Sequence, residues 1–377
     1  MIPFVDLKSQ YARLKSDIDG GIHAVLDSGA YVMGPAVKQF EAEMAAWAGA
    51  KHCVSCSSGS DALLIALLAM GIGRGDAVFV PSFTYTATAE SILLVGAVPV
   101  FVEVDPDTFL IDVAYLERMI DETAKGDLRP AAIMPVDLFG QPCDYPAIDA
   151  LAKAHGMRVI ADAAQGFGGT LDGAKVGTLA DVTATSFYPS KPLGCYGDGG
   201  ALLTEDDEMR ELMNSVRLHG KGAHKYDVQR VGINGRLDSI QAAVLSAKLS
   251  VFDDELAQRE RVARAYDAAL SDVVKTPARV PGATSAWAQY TIRTSERDAL
   301  QAACKEAGVP TMVFYAVPMH LQPAYRAHGG GEGSLPVSER VAHEVVSLPM
   351  NPYLSDAQVA VVTDAIRGFA AKATAAE

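Results

Sequence analysis

The sequence predicts an α/β fold, with a large domain built on a mostly parallel sheet of about seven strands and a smaller α+β domain after it. Three observations lead there. Apolar, β-branched runs near 77–80, 98–102, 131–136, 157–162, 182–187 and 200–204, with an earlier one through Val54, mostly have helical patterns between them. Several of these runs empty into loops rich in Ser, Gly, Asp or Lys, as strands do where an open sheet binds its ligand. A chain of 377 residues, 49% hydrophobic, can also bury one large core and a lesser one. The large domain is placed at 1–240, with an N-terminal helical segment, and the small domain at 241–377.

In order, Tyr11, Leu14, Ile18, Ile22, Val25 and Leu26 recur at helical spacing through 8–28. Two glycines and a proline in Ser28-Gly29-Ala30-Tyr31-Val32-Met33-Gly34-Pro35 make a loop before a second helix at about 36–47. Val54-Ser55-Cys56-Ser57-Ser58-Gly59-Ser60-Asp61 reads as strand, tight turn and helix start, and 61–70 is apolar almost all round, hence a buried helix. Cys53-Val54-Ser55-Cys56 has no second Cys or His pair to make a metal site, and Gly71-Ile72-Gly73-Arg74-Gly75 follows a helix, so it ends that helix rather than opening a dinucleotide loop. A long helical pattern runs from Leu237 to about Leu270, able to link the domains. Beyond it come a strand over 287–293, a helix over 298–307, a strand over 310–314 and an amphipathic tail over 356–371. Gly329-Gly330-Gly331-Glu332-Gly333 reads as a mobile loop.

Charge and cysteine content narrow the function. A net charge of −14 argues against a general nucleic-acid or anionic-membrane surface, so an anionic substrate must meet locally placed cations. Five cysteines spread along the chain make no disulfide framework and point to a reducing cytoplasm. The start Met1-Ile2-Pro3-Phe4-Val5-Asp6 reads as no signal peptide, and no apolar run of about 18 residues predicts a membrane span.

The chemistry centres on Ser186-Phe187-Tyr188-Pro189-Ser190-Lys191 and its glycine-rich tail Gly194-Cys195-Tyr196-Gly197-Asp198-Gly199-Gly200, where Lys191 is the candidate nucleophile. Three other strand ends could converge on it, and together they hold what pyridoxal phosphate needs. The turn Ser58-Gly59-Ser60 offers amides at a helix N-terminus for a phosphate, with the Ser186 hydroxyl beside it. Tyr85, in Pro81-Ser82-Phe83-Thr84-Tyr85, is the aromatic platform for the ring. Asp162, ending a buried strand, is the carboxylate for the ring nitrogen, and Lys191 supplies the amine that holds the aldehyde.

Seven motifs resemble one family. Ile2-Pro3-Phe4-Val5-Asp6-Leu7, Ser58-Gly59-Ser60-Asp61-Ala62-Leu63, Pro81-Ser82-Phe83-Thr84-Tyr85, Asp137-Leu138-Phe139-Gly140-Gln141, Asp162-Ala163-Ala164-Gln165, Ser190-Lys191 and Gly232-Ile233-Asn234-Gly235-Arg236 occur in family order across nearly the whole chain. The chain resembles the nucleotide-sugar aminotransferases of the DegT/DnrJ/EryC1/StrS family, within the aspartate-aminotransferase fold (fold type I). The resemblance implies a homodimer with shared active sites, L-glutamate as amino donor and a keto nucleotide-sugar as acceptor. It places Gln165 on the ring's phenolic oxygen, and Gly29, Tyr31, Ser190, Arg236, Tyr315 and His320 at the substrate. It also sends the loop from 216 to 236, with basic residues Lys221, Lys225, Arg230 and Arg236, into the partner's site, Asn234 meeting phosphate there. A solvated surface loop is the alternative for that stretch, an ordinary helix connection for Gly29 to Tyr31, and a structural histidine for His320.

The run from Ser186 to Asp198 most resembles enzymes that aminate C3 of UDP-2-acetamido-2-deoxy-3-oxo-glucuronate, including Pro192 where other relatives commonly have asparagine. Many relatives acting on acidic sugars have histidine where this chain has Phe314, which leaves 3- or 4-keto deoxyhexoses on dTDP or UDP as alternatives. Two other classes are a sugar dehydratase of the same fold and a non-catalytic regulator that binds the cofactor. The first would carry histidine in place of Lys191. The second would need a DNA-binding segment or a broken site.

Overall fold

The computed structural model describes residues 2–224 and 226–374; Lys225 lies outside them. Seven strands form the main sheet: β1 (His52–Cys56), β2 (Asp76–Pro81), β3 (Val98–Val102), β4 (Arg129–Ile133), β5 (Arg158–Asp162), β6 (Val182–Ser186) and β7 (Gly200–Thr204). Their spatial order is β1-β7-β6-β5-β4-β2-β3. Pairs from β6 through β5, β4 and β2 to β3 are parallel, and β7 alone runs against its neighbours β1 and β6. The strands are nearly uniform apolar runs because both faces are covered. One face carries Leu63, Ile65, Leu67, Val78, Val80, Ile160 and Leu202, and the other Phe79, Ile133, Val159, Leu116 and Ile148.

The helices around this sheet are α1 (Leu7–Ser28), α2 (Pro35–Ala48), α3 (Gly59–Ala69), α4 (Thr86–Leu94), α5 (Val113–Thr123), α6 (Tyr145–Ala154), α7 (Asp207–Arg217) and α8 (Ser239–Leu249), with Leu14 and Ile18 of α1 packed on Val244 of α8. The middle of α3 is buried, from Ala62 to Leu67 except Leu64, and its start is set by Ser58, whose extended backbone lets Oγ accept from Asp61 N at 3.0 Å. Gly29 and Gly49 end α1 and α2 in the left-handed conformation, with φ of 65° and 74°. A second core gathers Val262, Tyr266, Tyr290, Val346 and Leu348 from α9 (Phe252–Leu270), β8 (Tyr290–Arg293) and β9 (Val345–Leu348), with Trp287 from the loop before β8 and with α10 (Arg297–Glu306) and α12 (Asp356–Thr374) against it. Another helix, α11 (Pro336–Glu344), precedes β9. Ile2 joins this second core, and Phe4 O accepts from Met350 N at 3.2 Å, so the N-terminal segment reaches back to it.

Several elements differ from the expectation. The helical pattern from Leu237 to Leu270 is two helices, broken at Ser250 and Val251. Leu245 and Leu249 of α8 pack with Phe40 and Val37 of α2, whereas Val262, Tyr266 and Leu270 of α9 face the second core. One straight helix cannot point at two cores. The strand expected from 287 begins only at Tyr290, because Trp287 has φ of 45°. The strand expected over 310–314 is a single bridge, Met312 with Ser347. The glycine run expected to be mobile is tied at both ends, Gly329 N to Tyr325 O at 3.1 Å and Gly333 N to Glu339 Oε1 at 2.8 Å. Among the described residues no helix is long and apolar enough to cross a membrane.

Candidate active site

Four strand ends meet at one cleft of about 430 Å³. The turn after β1 brings Ser58, Gly59 and Ser60; the loop after β2 brings Tyr85; the end of β5 brings Asp162 and then Gln165; the loop after β6 brings Ser186, Ser190 and Lys191. Gln289, Phe314 and Tyr315, from the C-terminal part of the chain, complete the cleft, the last two packed against the sheet's own core. All four loops leave the carboxyl ends of parallel strands, where an open sheet collects its ligands.

Asp162, Lys191 and Asp198 are the acidic and basic residues of this cleft, and the first two interact. Asp162 is buried; its Oδ2 accepts from Thr88 Oγ1 at 2.8 Å and its Oδ1 from Ala164 N at 3.2 Å. Burial raises its pKa, and these hydrogen bonds, with the Lys191 charge, work in the other direction. Burial likewise lowers the pKa of Lys191, against the pull of Asp162. Lys191 Nζ has no hydrogen-bond partner among the described residues, while its backbone N–H donates to Tyr188 O at 2.8 Å. A lysine of lowered pKa facing a carboxylate is what a nucleophile that must shed its proton near neutrality requires.

The other predicted residues divide into two sets. Gln165 is buried, accepts from Phe139 N at 2.7 Å and donates from Nε2 to the Tyr315 hydroxyl at 2.5 Å, which places both on the cleft wall. Tyr315 has φ of 61° and stacks on Phe139 at 6.1 Å. Tyr85 is more than half exposed on the opposite lip. The second set lies away from this chain's own cleft. Gly29 caps α1; Tyr31 O accepts from Ser239 N at 3.0 Å; Asn234 is exposed and bridges Leu218; and Arg236 is half-buried just before α8.

His320 is a correction. It is fully buried, with Nδ1 2.6 Å from Ser82 Oγ and Nε2 3.1 Å from Glu339 Oε1, and it does not line the cleft. The short turn Met319–Leu321 aims it inward, where Ser82 and Glu339 give both ring nitrogens partners. Thr88, which holds Asp162, escaped the sequence reading. Thr86, Glu90 and Ser91 are polar neighbours in the same helix, so only its burial distinguishes Thr88 from the exposed Glu90.

The cleft's residues fit pyridoxal phosphate. The amides of Gly59 and Ser60, in the first turn of α3, have no carbonyl of that helix to bond and are available to a phosphate. The turn carrying them is pressed against its neighbours: a Cβ on Gly59 would sit 2.5 Å from Ser186 Cβ, and one on Gly200 would sit 2.4 Å from Ser58 O. A buried carboxylate and an amine occupy the same cleft.

Comparison with known proteins agrees. The chain is 46% identical over 97% of its length, and 99% of the relative's, to a UDP-2-acetamido-2-deoxy-3-oxo-D-glucuronate aminotransferase of Pseudomonas aeruginosa. It is 45% identical, over 98% of both chains, to a pleiotropic regulatory protein of Geobacillus stearothermophilus. Among solved structures, a DegT DnrJ EryC1 StrS aminotransferase from Brucella abortus superposes with a TM-score of 0.96 at 49% identity, covering 98% of this chain and 99% of that one. The S. venezuelae DesV structure in complex with a ketimine intermediate superposes at 0.94 with 40% identity, covering 98% of each. Residues 13–367 match the family as a whole, and the chain belongs to the DegT/DnrJ/EryC1/StrS aminotransferase family.

Proposed function

We propose that this aminotransferase uses pyridoxal phosphate to move an amino group from L-glutamate to C3 of a keto nucleotide-sugar, the preferred acceptor being UDP-2-acetamido-2-deoxy-3-oxo-glucuronate. The observation that carries the reading is the Lys191 amine, of lowered pKa, sharing a desolvated cleft with Asp162. When bound, the cofactor supplies an aldehyde that carries the amine and a ring that disperses negative charge. Asp162, fixed by Thr88 and Ala164 N, would hold a proton on the ring nitrogen. Lys191 takes the proton from the donor's Cα as general base and later returns one at the carbon receiving the amine. The Gly59 and Ser60 amides with the Ser186 hydroxyl would hold its phosphate, Tyr85 would be the aromatic residue at its ring, and Gln165 would hydrogen-bond its phenolic oxygen.

The acceptor assignment rests on the Ser186 to Asp198 run and on the acceptor named for the Pseudomonas aeruginosa relative. A dTDP- or UDP-linked 3- or 4-keto deoxysugar is the alternative, favoured by Phe314 at the cleft edge in place of a cation. We further assign Asn234 and Arg236 to the site of a partner subunit in a homodimer, a division between the sheet domain and a smaller C-terminal domain, and a cytoplasmic location. Purified enzyme would be given glutamate and a panel of keto nucleotide-sugars, with 2-oxoglutarate and aminosugar quantified. The uronate should be the best substrate and Lys191→Ala should lower turnover by at least about 1,000-fold. Amination of no panel member, or full activity in Lys191→Ala, would sink the reading.

A further inference from the structure

Behind the Lys191 loop lies a second lysine that the cleft does not use. Lys248 on α8 is 1% exposed and makes no ion pair among the described residues. Its ammonium donates to Gly194 O at 2.5 Å and sits 4.2 Å from the centroid of the Tyr196 ring. Glu255, the carboxylate whose field reaches it, is engaged by Gln10 and Tyr353. Burial pulls the Lys248 pKa down to about 8. A buried cation held by one carbonyl and one ring face is costly, so an apolar side chain of the same length would avoid that penalty.

Seven residues earlier, and therefore two turns back on the same helical face, stands Gln241. Its Oε1 accepts from Tyr196 N at 2.8 Å and its Nε2 donates to Tyr196 O at 3.3 Å. One face of α8 thus grips the backbone at 194 and at 196. Those two points control the loop, because it is folded tightly on itself. Cys195 N donates to Phe187 O at 2.8 Å, Phe187 N to Gly199 O at 2.7 Å, and a Cβ on Gly194 would lie 2.6 Å from Pro189 O and 2.7 Å from Tyr188 O.

We propose that Lys248 and Gln241 are positioning residues, a two-point brace by which α8 holds the loop carrying Lys191 at the height where its amine enters the cleft beside Asp162. The proposal rests on Lys191 being the reacting amine. It assigns Lys248 no proton transfer.

The test uses Lys248→Met, which keeps the length and removes charge and donor, with Gln241→Leu as a second variant should the first not fold. Hydrogen exchange of the cofactor-free protein should show amides of 188–196 losing protection about 10-fold or more, while the urea midpoint holds or rises because a desolvated charge is gone. In the loaded enzyme, kcat should fall about 10-fold or more with KM for the nucleotide-sugar changed less than about twofold, as expected of a displaced but intact nucleophile. Unchanged loop exchange overturns the proposal, as does a drop in urea midpoint with protection lost evenly across the chain. Loop exchange that responds as expected in a protein whose wild type aminates nothing would leave the brace standing and remove the reaction assigned to it.

Discussion

A carboxyl group closed off from water must either find donors or keep its proton, and Asp137 does some of each. Its Oδ1 accepts from Cys143 N and Tyr145 OH, both at 2.9 Å, while Oδ2 is buried with no partner. Burial pushes its pKa up to about 7, against the help of those donors. The folded state therefore holds this proton between about pH 4 and 7 while the unfolded chain releases it, so the group's contribution to stability falls as pH rises through that window. Asp137→Asn removes the slope: urea unfolding at pH 5 and pH 8 should show the variant gaining on wild type by a few kcal/mol, on the order of one per pKa unit, toward the higher pH. His320 gives a second expectation. His320→Ala removes the ring that Ser82 and Glu339 share, leaving each only its backbone donors, and should cost about 1–3 kcal/mol in chemical unfolding, with KM for the nucleotide-sugar nearly unchanged. Lys191 and Asp162 were legible in the sequence because each chemistry stood at the end of its own apolar run. His320 was not, because the direction of a side chain in a three-residue turn depends on Ser82, 238 residues away.

At the scale of elements, the antiparallel strand β7 matters most to the cleft. Gly200 pairs with both Cys56 and Ser186, which brings its Cα under the carbonyl of Ser58. Gly200→Ala should push the Ser58–Gly59 turn off its seat, cost about 1–3 kcal/mol as an overpacked site does, and weaken pyridoxal phosphate binding by about 10-fold or more, read by fluorescence titration of the cofactor-free protein. The sheet itself was readable from sequence, since runs covered on both faces need only be apolar and of strand length. The break between α8 and α9 was not. Helical spacing continues through Ser250 and Val251, and only the presence of two separate cores forces the turn.

At the scale of the molecule, Asn234 and Arg236 lie outside their own chain's cleft, and exposed Val228 and Val231 stand in the same segment. If that segment completes a partner's site, Lys191→Ala and Arg236→Ala, each inactive alone, should regain about a quarter of wild-type activity when unfolded together and reassembled, since half the dimers then carry one intact site. Reassembly without recovery would place Arg236 in the cis subunit or outside the site. A different consequence follows from the bridge between Met312 and Ser347. The reacting groups are rooted in a seven-stranded sheet, and Phe314 and Tyr315 overhang them from a stretch that the Met312–Ser347 bridge fastens to β9 and the Gln165–Tyr315 hydrogen bond fastens to the sheet's own cleft wall. The overhang is thus moored from two sides, so exchanging Tyr315 would disturb Gln165 beneath it, whereas exchanging Phe314 would leave that hydrogen bond in place.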